Sequence, residues 1–336
     1  MIDKAFSEFD ETYCNKMLEN NSVYFDQRLK KILRQKNFGL LKEPIEYSIL
    51  GQGKRLRPLL CMETSKVFNI PSEISIFCAI AIECIHTYSL VHDDLPSMDD
   101  DDLRRGQPTI HKKWNEAIAI LVGDSLQSLS FEVLSDDEFK VRDKVKNKLI
   151  YSLAEKSGAS GMVLGQALDI EAESSRKQLE MDQISSLQEY KTGKLISWSC
   201  EVGPIIAGEN TDPFTLYASK IGLAFQIIDD ILDVTSSSKI LGKKAGKDKE
   251  KNKATFVSKL GLDNSKKKAT DLVAEACEAI SVFKDRSKKP LPNCKFYCQQ
   301  AILNFFSIGE KNIITFLELY FLEALLFALR SAQLPF

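Results

Sequence analysis

The stretch Val91–Gly106, VHDDLPSMDDDDLRRG, places six aspartates within ten positions: Asp93, Asp94, and Asp99 to Asp102. Arg104 and Arg105 follow at once. A run this acidic repels itself unless positive charge sits in it, and two arginines supply only part of that charge. Hard divalent cations supply the remainder, and Mg²⁺ typically takes one or two carboxylates and fills its shell with water and substrate phosphates. Arginines beside such a site clamp the same phosphates with paired N–H bonds. Asp93, Asp94 and Asp99 are therefore candidate Mg²⁺ ligands, and Arg104 and Arg105 candidate phosphate ligands. A solvated acidic loop is the competing reading for an isolated charge run.

A second stretch, Phe225–Asp233 (FQIIDDILD), weakens that competitor. Asp229 and Asp233 are four apart, about 40° from one another on a helix, with Gln226 close to the same face. Ile227, Ile228, Ile231 and Leu232 surround them. Carboxylates on an apolar helix are costly unless paired or metal-bound. Two such clusters can hold a metal–diphosphate assembly from opposite sides.

Three further stretches carry charge suited to the same chemistry. In Tyr47–Pro58 (YSILGQGKRLRP), Gly51 and Gly53 interrupt the helix, and Lys54, Arg55 and Arg57 follow. A short basic loop before a helix binds phosphate through side-chain charge and free N–H groups. His86 stands seven residues before Asp93, on nearly the same helical face and about 10 Å away. Tyr190–Trp198 (YKTGKLISW) sets Lys191, Thr192 and Gly193 inside a helical pattern, where a glycine costs about 1 kcal/mol. The lysine-rich run 236–256 reads on its own terms as a solvated loop.

Together these stretches resemble the trans-polyprenyl diphosphate synthases, most closely the bacterial farnesyl diphosphate synthases. The resemblance rests on DDxxxxD (Asp93, Asp94, Asp99) followed by RR, on FQxxDDxxD, on GKRLRP upstream and on KTG, and it runs from roughly residue 25 to residue 286. It implies an all-α fold, a single large helical bundle around a central cavity, with the two aspartate helices facing each other. It further implies Mg²⁺, with isopentenyl diphosphate and an allylic diphosphate as partners. Lys54 and Arg57 match residues that bind isopentenyl diphosphate, and His86, which matches a family histidine, would hold it with them and Arg105. Lys191, Thr192 and Gln226 match those around the reacting allylic carbon. Lys243 and Lys253 match those closing on the allylic diphosphate, with Arg104 meeting the same diphosphate. Tyr88, with Ser89 beside it, occupies the position where an aromatic residue limits the product to 15 carbons. A geranylgeranyl diphosphate synthase, or a non-catalytic regulatory subunit, is the alternative. Family members form homodimers.

The elements that must position these residues follow from pattern. Length alone suggests two domains, but Asp93 and Asp229, 136 positions apart, have to converge, which argues for one. Only 16 Gly and 10 Pro in 336 residues favour long helices. Apolar spacing predicts a helix over Glu73–Asp93, with Ile74, Phe77, Ala81, Cys84, Tyr88 and Val91 on one stripe and Pro96 ending or kinking it. Residues 115–134 form another apolar helix, and residues 1–40 an amphipathic helical start. Gly158–Ala172, rich in small residues, predicts close helix packing, with Gln166 and Asp169 lining a cavity. His111 reads as a surface residue.

The net charge of −2 gives no footprint for nucleic acid. Eight cysteines show no metal-ligand spacing, and the N-terminus has no apolar signal core, so a reducing cytoplasm is the expected location. The synthase domain is expected over 1–290, with a divergent tail over 291–336. The apolar run Ile313–Leu329 is 17 residues long and interrupted by Glu318 and Glu323, so no membrane span is expected.

Overall fold

The computed structural model describes residues 11–51, 53, 55–175, 179–235, 255–281 and 283. Lys54, Lys243, Lys253 and the proposed tail 291–336 lie outside the described residues.

The chain is an all-α bundle. In order, the helices are α1 (Glu11–Arg34), α2 (Lys42–Ile49), α3 (Leu56–Val67), α4 (Ser72–Asp93), α5 (Ile110–Lys113), α6 (Glu116–Ser135), α7 (Asp143–Ser157), α8 (Met162–Ser175), α9 (Met181–Gln188), α10 (Lys194–Ala207), α11 (Asp212–Thr235), α12 (Phe256–Leu260) and α13 (Leu262–Ala279). A π-helical turn, Glu189–Gly193, joins α9 to α10. The one sheet among the described residues is a hairpin of β1 (Leu103–Arg104) and β2 (Gln107–Pro108). Its turn residues Arg105 and Gly106 both have positive φ, as a two-residue hairpin loop requires.

Helix α4 is the axis of the bundle. The sequence suggested one apolar stripe, but Ile76, Cys78, Ala79, Ile80, Ile82 and Ile85 are as buried as the stripe itself. A helix apolar on every side belongs inside a core, and α4 packs against α3, α6 and α10. Its sequence is long and apolar enough to cross a membrane, as is that of α6; for α4 the burial in the bundle accounts for this. Helix α6 starts one residue after Asn115, whose side chain accepts the Ile118 N–H at 2.9 Å and caps it. It leaves Ile120 and Leu121 nearly half exposed. A second cluster forms where α11 lies on α10 and α13, with Phe214, Tyr217, Ile221 and Ile227 fully buried.

Close approach of α3 and α10 depends on Gly203. A Cβ there would lie 2.5 Å from the Thr64 carbonyl oxygen. These contacts fix α3, α4, α11 and the π-helical turn before α10, which bear the charged residues.

Candidate active site

Helix α4 ends at Asp93 instead of kinking through Pro96. The chain then folds back so that the Asp99 N–H donates to the Asp93 carbonyl at 2.8 Å. That turn brings Asp99 beside Asp93, which ideal helical geometry does not do. Burial, then the neighbouring carboxylates Asp99 and Asp94, push the Asp93 acid up to about 6, against the pull of Lys191 and Arg104.

Asp94 points elsewhere. It is 4% exposed, and Arg104 Nε donates to its Oδ1 at 2.7 Å and its Oδ2 at 2.9 Å. The hairpin aims Arg104 back onto the helix end. Burial raises the Asp94 acid, and Arg104 partly offsets this. Burial works against the Arg104 charge, but Asp94, with Asp93 and Asp101, raises the Arg104 pKa. Asp102, by contrast, is exposed and paired with Lys112 at 2.8 Å. Thr109 fastens the far end of the loop, its hydroxyl donating to the Asp101 carbonyl at 2.8 Å. His111 is 8% exposed and sits 3.1 Å from the Thr109 hydroxyl. The expectation of a surface histidine is corrected: the polar residues around it misled, because Thr109 draws its ring inward.

The basic side divides in the same way. Arg55, at φ 50°, is buried; it bonds Glu83 at 2.6 Å and the Ile49 carbonyl at 2.8 Å. It is a strut that fixes the start of α3. Arg57, two residues on, has its Nη1 3.4 Å from His86 Nε2. Its Nε is buried without a partner. Burial lowers the Arg57 pKa; Glu83 and Asp229 act to raise it and Arg105 to lower it. Burial, then Arg57, Arg105, Arg104 and Arg55, holds His86 well below its ordinary value, hence neutral. Arg105 lies over Gly53, where a Cβ would meet its Nη1 at 2.6 Å. Arg57, His86 and Arg105 thus share one positive field.

On α11, Asp229 is exposed and Gln226 Nε2 lies 3.5 Å from its Oδ2. Asp233, one turn on, is 8% exposed. Asp230 is committed to structure: its Oδ2 accepts the Phe256 N–H at 2.7 Å, anchoring α12. The glycine expected to disturb a helix at Gly193 belongs to the π-helical turn, a feature often found at functional sites. This turn presents Lys191, whose Nζ donates to Asp169 Oδ2 at 2.6 Å, and half-buried Thr192.

The residues present suit a hard cation. Among the described residues no three His, Cys, Asp or Glu side chains converge to hold a metal by themselves. Asp93 and Asp99 would offer two carboxylates to a hard cation, and Mg²⁺ typically fills the rest of its shell with water and phosphate oxygens.

Tyr88 is 6% exposed and meets the His92 ring edge-on at 5.8 Å. Its hydroxyl is buried; Gln127 stands near without reaching hydrogen-bond geometry. His92 Nε2 is 3.1 Å from the Ile120 carbonyl and fills the notch at Gly123, where a Cβ would lie 2.0 Å away. The Ser89 hydroxyl donates to the His86 carbonyl at 2.9 Å.

A family model described as Polyprenyl synthetase matches residues 39–289. The chain belongs to the polyprenyl synthetase family. This polyprenyl synthetase is 41% identical over 281 residues to farnesyl diphosphate synthase of Escherichia coli, covering 78% of this chain and 93% of that protein. It is 39% identical over 254 residues to a chloroplastic geranylgeranyl pyrophosphate synthase of Catharanthus roseus, covering 75% and 71%. The geranyltransferase of Helicobacter pylori, crystallised with magnesium and isoprenyl diphosphate, superposes with a TM-score of 0.70 at 32% identity, covering 88% of this chain and 97% of that one. By family this polyprenyl synthetase is a trans-prenyltransferase.

Proposed function

We propose that the protein condenses isopentenyl diphosphate with dimethylallyl or geranyl diphosphate to give farnesyl diphosphate. One observation carries the reading: the two charged sites interpenetrate. The Lys191 ammonium acts on Asp93, and the Asp229 carboxylate acts on Arg57. Residues from α3, the end of α4, the π-helical turn and α11 therefore lie within electrostatic reach of one another, as one diphosphate-binding site needs.

An allylic diphosphate ionises only when its departing charge is stabilised. Asp93 and Asp99, with Asp229 and Asp233, would hold Mg²⁺, which would supply part of that neutralisation. Asp94 serves this site by seating Arg104. Arg104 and Lys191, with Lys243 and Lys253, meet the leaving diphosphate with fixed charge. Thr192 and Gln226 flank the reacting carbon. Arg57, His86, Arg105 and Lys54 hold isopentenyl diphosphate so that its double bond meets the allylic cation, an orientation effect as much as an electrostatic one. The neutral His86 offers the diphosphate a donor without adding to the crowded positive charge. Apolar residues of α4 keep water from the cation, and the released diphosphate takes the final proton.

Relatives making 15-carbon and 20-carbon products are nearly equally similar, so the length rests on Tyr88, a buried ring one helical turn and a residue before Asp93. The exposed apolar face of α6 at Ile120 and Leu121 supports a homodimer. A cytoplasmic location fits the free, buried thiols of Cys61, Cys78, Cys84, Cys200 and Cys277.

The test is labelled isopentenyl diphosphate with geranyl diphosphate and Mg²⁺, reading chain elongation and diphosphate release together. Equal elongation and release supports the reading. Release without elongation indicates a hydrolase or cyclase, and neither indicates a non-catalytic subunit.

A further inference from the structure

Gly165 and Asp169 stand four apart on α8, and so on one face. Gly165 has no room for a side chain: a Cβ there would lie 2.1 Å from the Lys191 nitrogen and 2.5 Å from its Cα. That close approach of α8 to the π-helical turn lets Asp169 reach the Lys191 ammonium at 2.6 Å. The two side chains are 13% and 25% exposed, so this is not a solvated surface pair. Among the charges around Asp93, that of Lys191 acts most strongly on its carboxylate. One ammonium is thus bonded to Asp169 on α8 while its charge is felt by Asp93 at the end of α4.

We propose that Asp169 is a positioning residue of the allylic diphosphate site: it draws Lys191 away from the Asp93 carboxylate, leaving Asp93 open to a cation and the ammonium turned toward the diphosphate. The inference rests on the reading of Lys191 given under the proposed function. Without the Asp169 charge, the Asp93 carboxylate remains as an attraction for Lys191, and an ion pair there competes directly with cation binding. Holding a long side chain in place beforehand also removes an ordering penalty from substrate binding.

The experiment is calorimetric binding of geranyl thiodiphosphate, an analogue that ionises poorly, across a Mg²⁺ series, compared with isopentenyl diphosphate alone. Asp169→Asn keeps the shape and removes the charge. It is expected to weaken analogue binding about tenfold or more, to raise the Mg²⁺ concentration at half-saturation, and to leave isopentenyl diphosphate binding unchanged. Asp169→Glu, which keeps the charge, is expected to recover part of the loss. In a Lys191→Gln background, Asp169→Asn is expected to add nothing. Unchanged analogue and Mg²⁺ binding in Asp169→Asn overturns the inference. So does equal weakening of both substrates, or a further loss in the Lys191→Gln background. Because binding is read without turnover, a wild type that binds the analogue but does not elongate overturns the proposed function and leaves Asp169 standing. A wild type that does not bind the analogue overturns both.

Discussion

Both carboxylate oxygens of Asp94 accept from Arg104 Nε, at 2.7 and 2.9 Å, at the very end of helix α4. This pair folds the RRG hairpin onto the helix and sets a guanidinium beside Asp93 before any substrate arrives. Removing Asp94 leaves the Arg104 charge without its seat. Arg104 is about a third exposed, so solvent screens part of the loss. Asp94→Ala is expected to lower stability by about 1–3 kcal/mol in urea unfolding, and Arg104→Lys to lower it as well, since an ammonium cannot reproduce the fork geometry. An unchanged unfolding midpoint in Asp94→Ala contradicts this.

Asp93 gives a pH signature. Its acid rises from 3.8 to about 6 on folding, through burial first and its acidic neighbours second. The folded protein therefore holds that proton more tightly than the unfolded chain. The contribution of Asp93 to stability falls as pH climbs from about 4 through 6 and is fully unfavourable above that. In chelator at pH 8, Asp93→Asn is expected to be more stable than wild type by up to about 3 kcal/mol, with no advantage near pH 4. Thermal melts at the two pH values decide it. A wild type as stable as the variant at pH 8 contradicts the account. Added Mg²⁺ is expected to narrow the difference, because it supplies the missing positive charge.

Product length is expected to follow Tyr88. Its ring is buried against His92, which is itself wedged into the Gly123 notch of α6, so the ring is held firmly. Tyr88→Ala is expected to shift the main product from 15 to 20 carbons. Chromatography of the dephosphorylated alcohols reads the change, and an unchanged 15-carbon product removes Tyr88 as the stop.

Phe283 closes the second core, its ring 5.2 Å from Phe214 and 5.7 Å from Phe68. A chain truncated after Ser287 is expected to keep its helical circular dichroism and a cooperative melt. Loss of helical signal contradicts this.

The sequence exposed which stretches carry the chemistry, because charge on an apolar helix is too costly to be incidental. The all-α class was equally legible, from long apolar periodicities with few glycines and prolines. What it hid was the division of labour between like neighbours. Asp93 and Asp94, Arg55 and Arg57, and Asp229 and Asp230 are the same type one or two positions apart. At the end of α4 and on α11 a helix turn of about 100° per residue sends adjacent aspartates to different neighbours, while Arg55, at φ 50°, precedes α3 and turns to Glu83 instead. The partners of Arg55 and Asp230 are distant: Glu83 lies 28 positions from Arg55, and Phe256 lies 26 from Asp230. No local pattern names them. Asp169 drew notice only as a cavity-lining residue, since its link to Lys191 depends on the close approach that Gly165 permits.

The most direct test of the two-site account is turnover of Asp93→Ala and Asp229→Ala in the elongation assay at saturating Mg²⁺, with circular dichroism confirming the fold. Each change removes part of a charge arrangement that acts mainly in the transition state. Both variants are expected to lose several orders of magnitude in turnover while keeping wild-type helical content. Turnover within a fewfold of wild type in either variant contradicts the account.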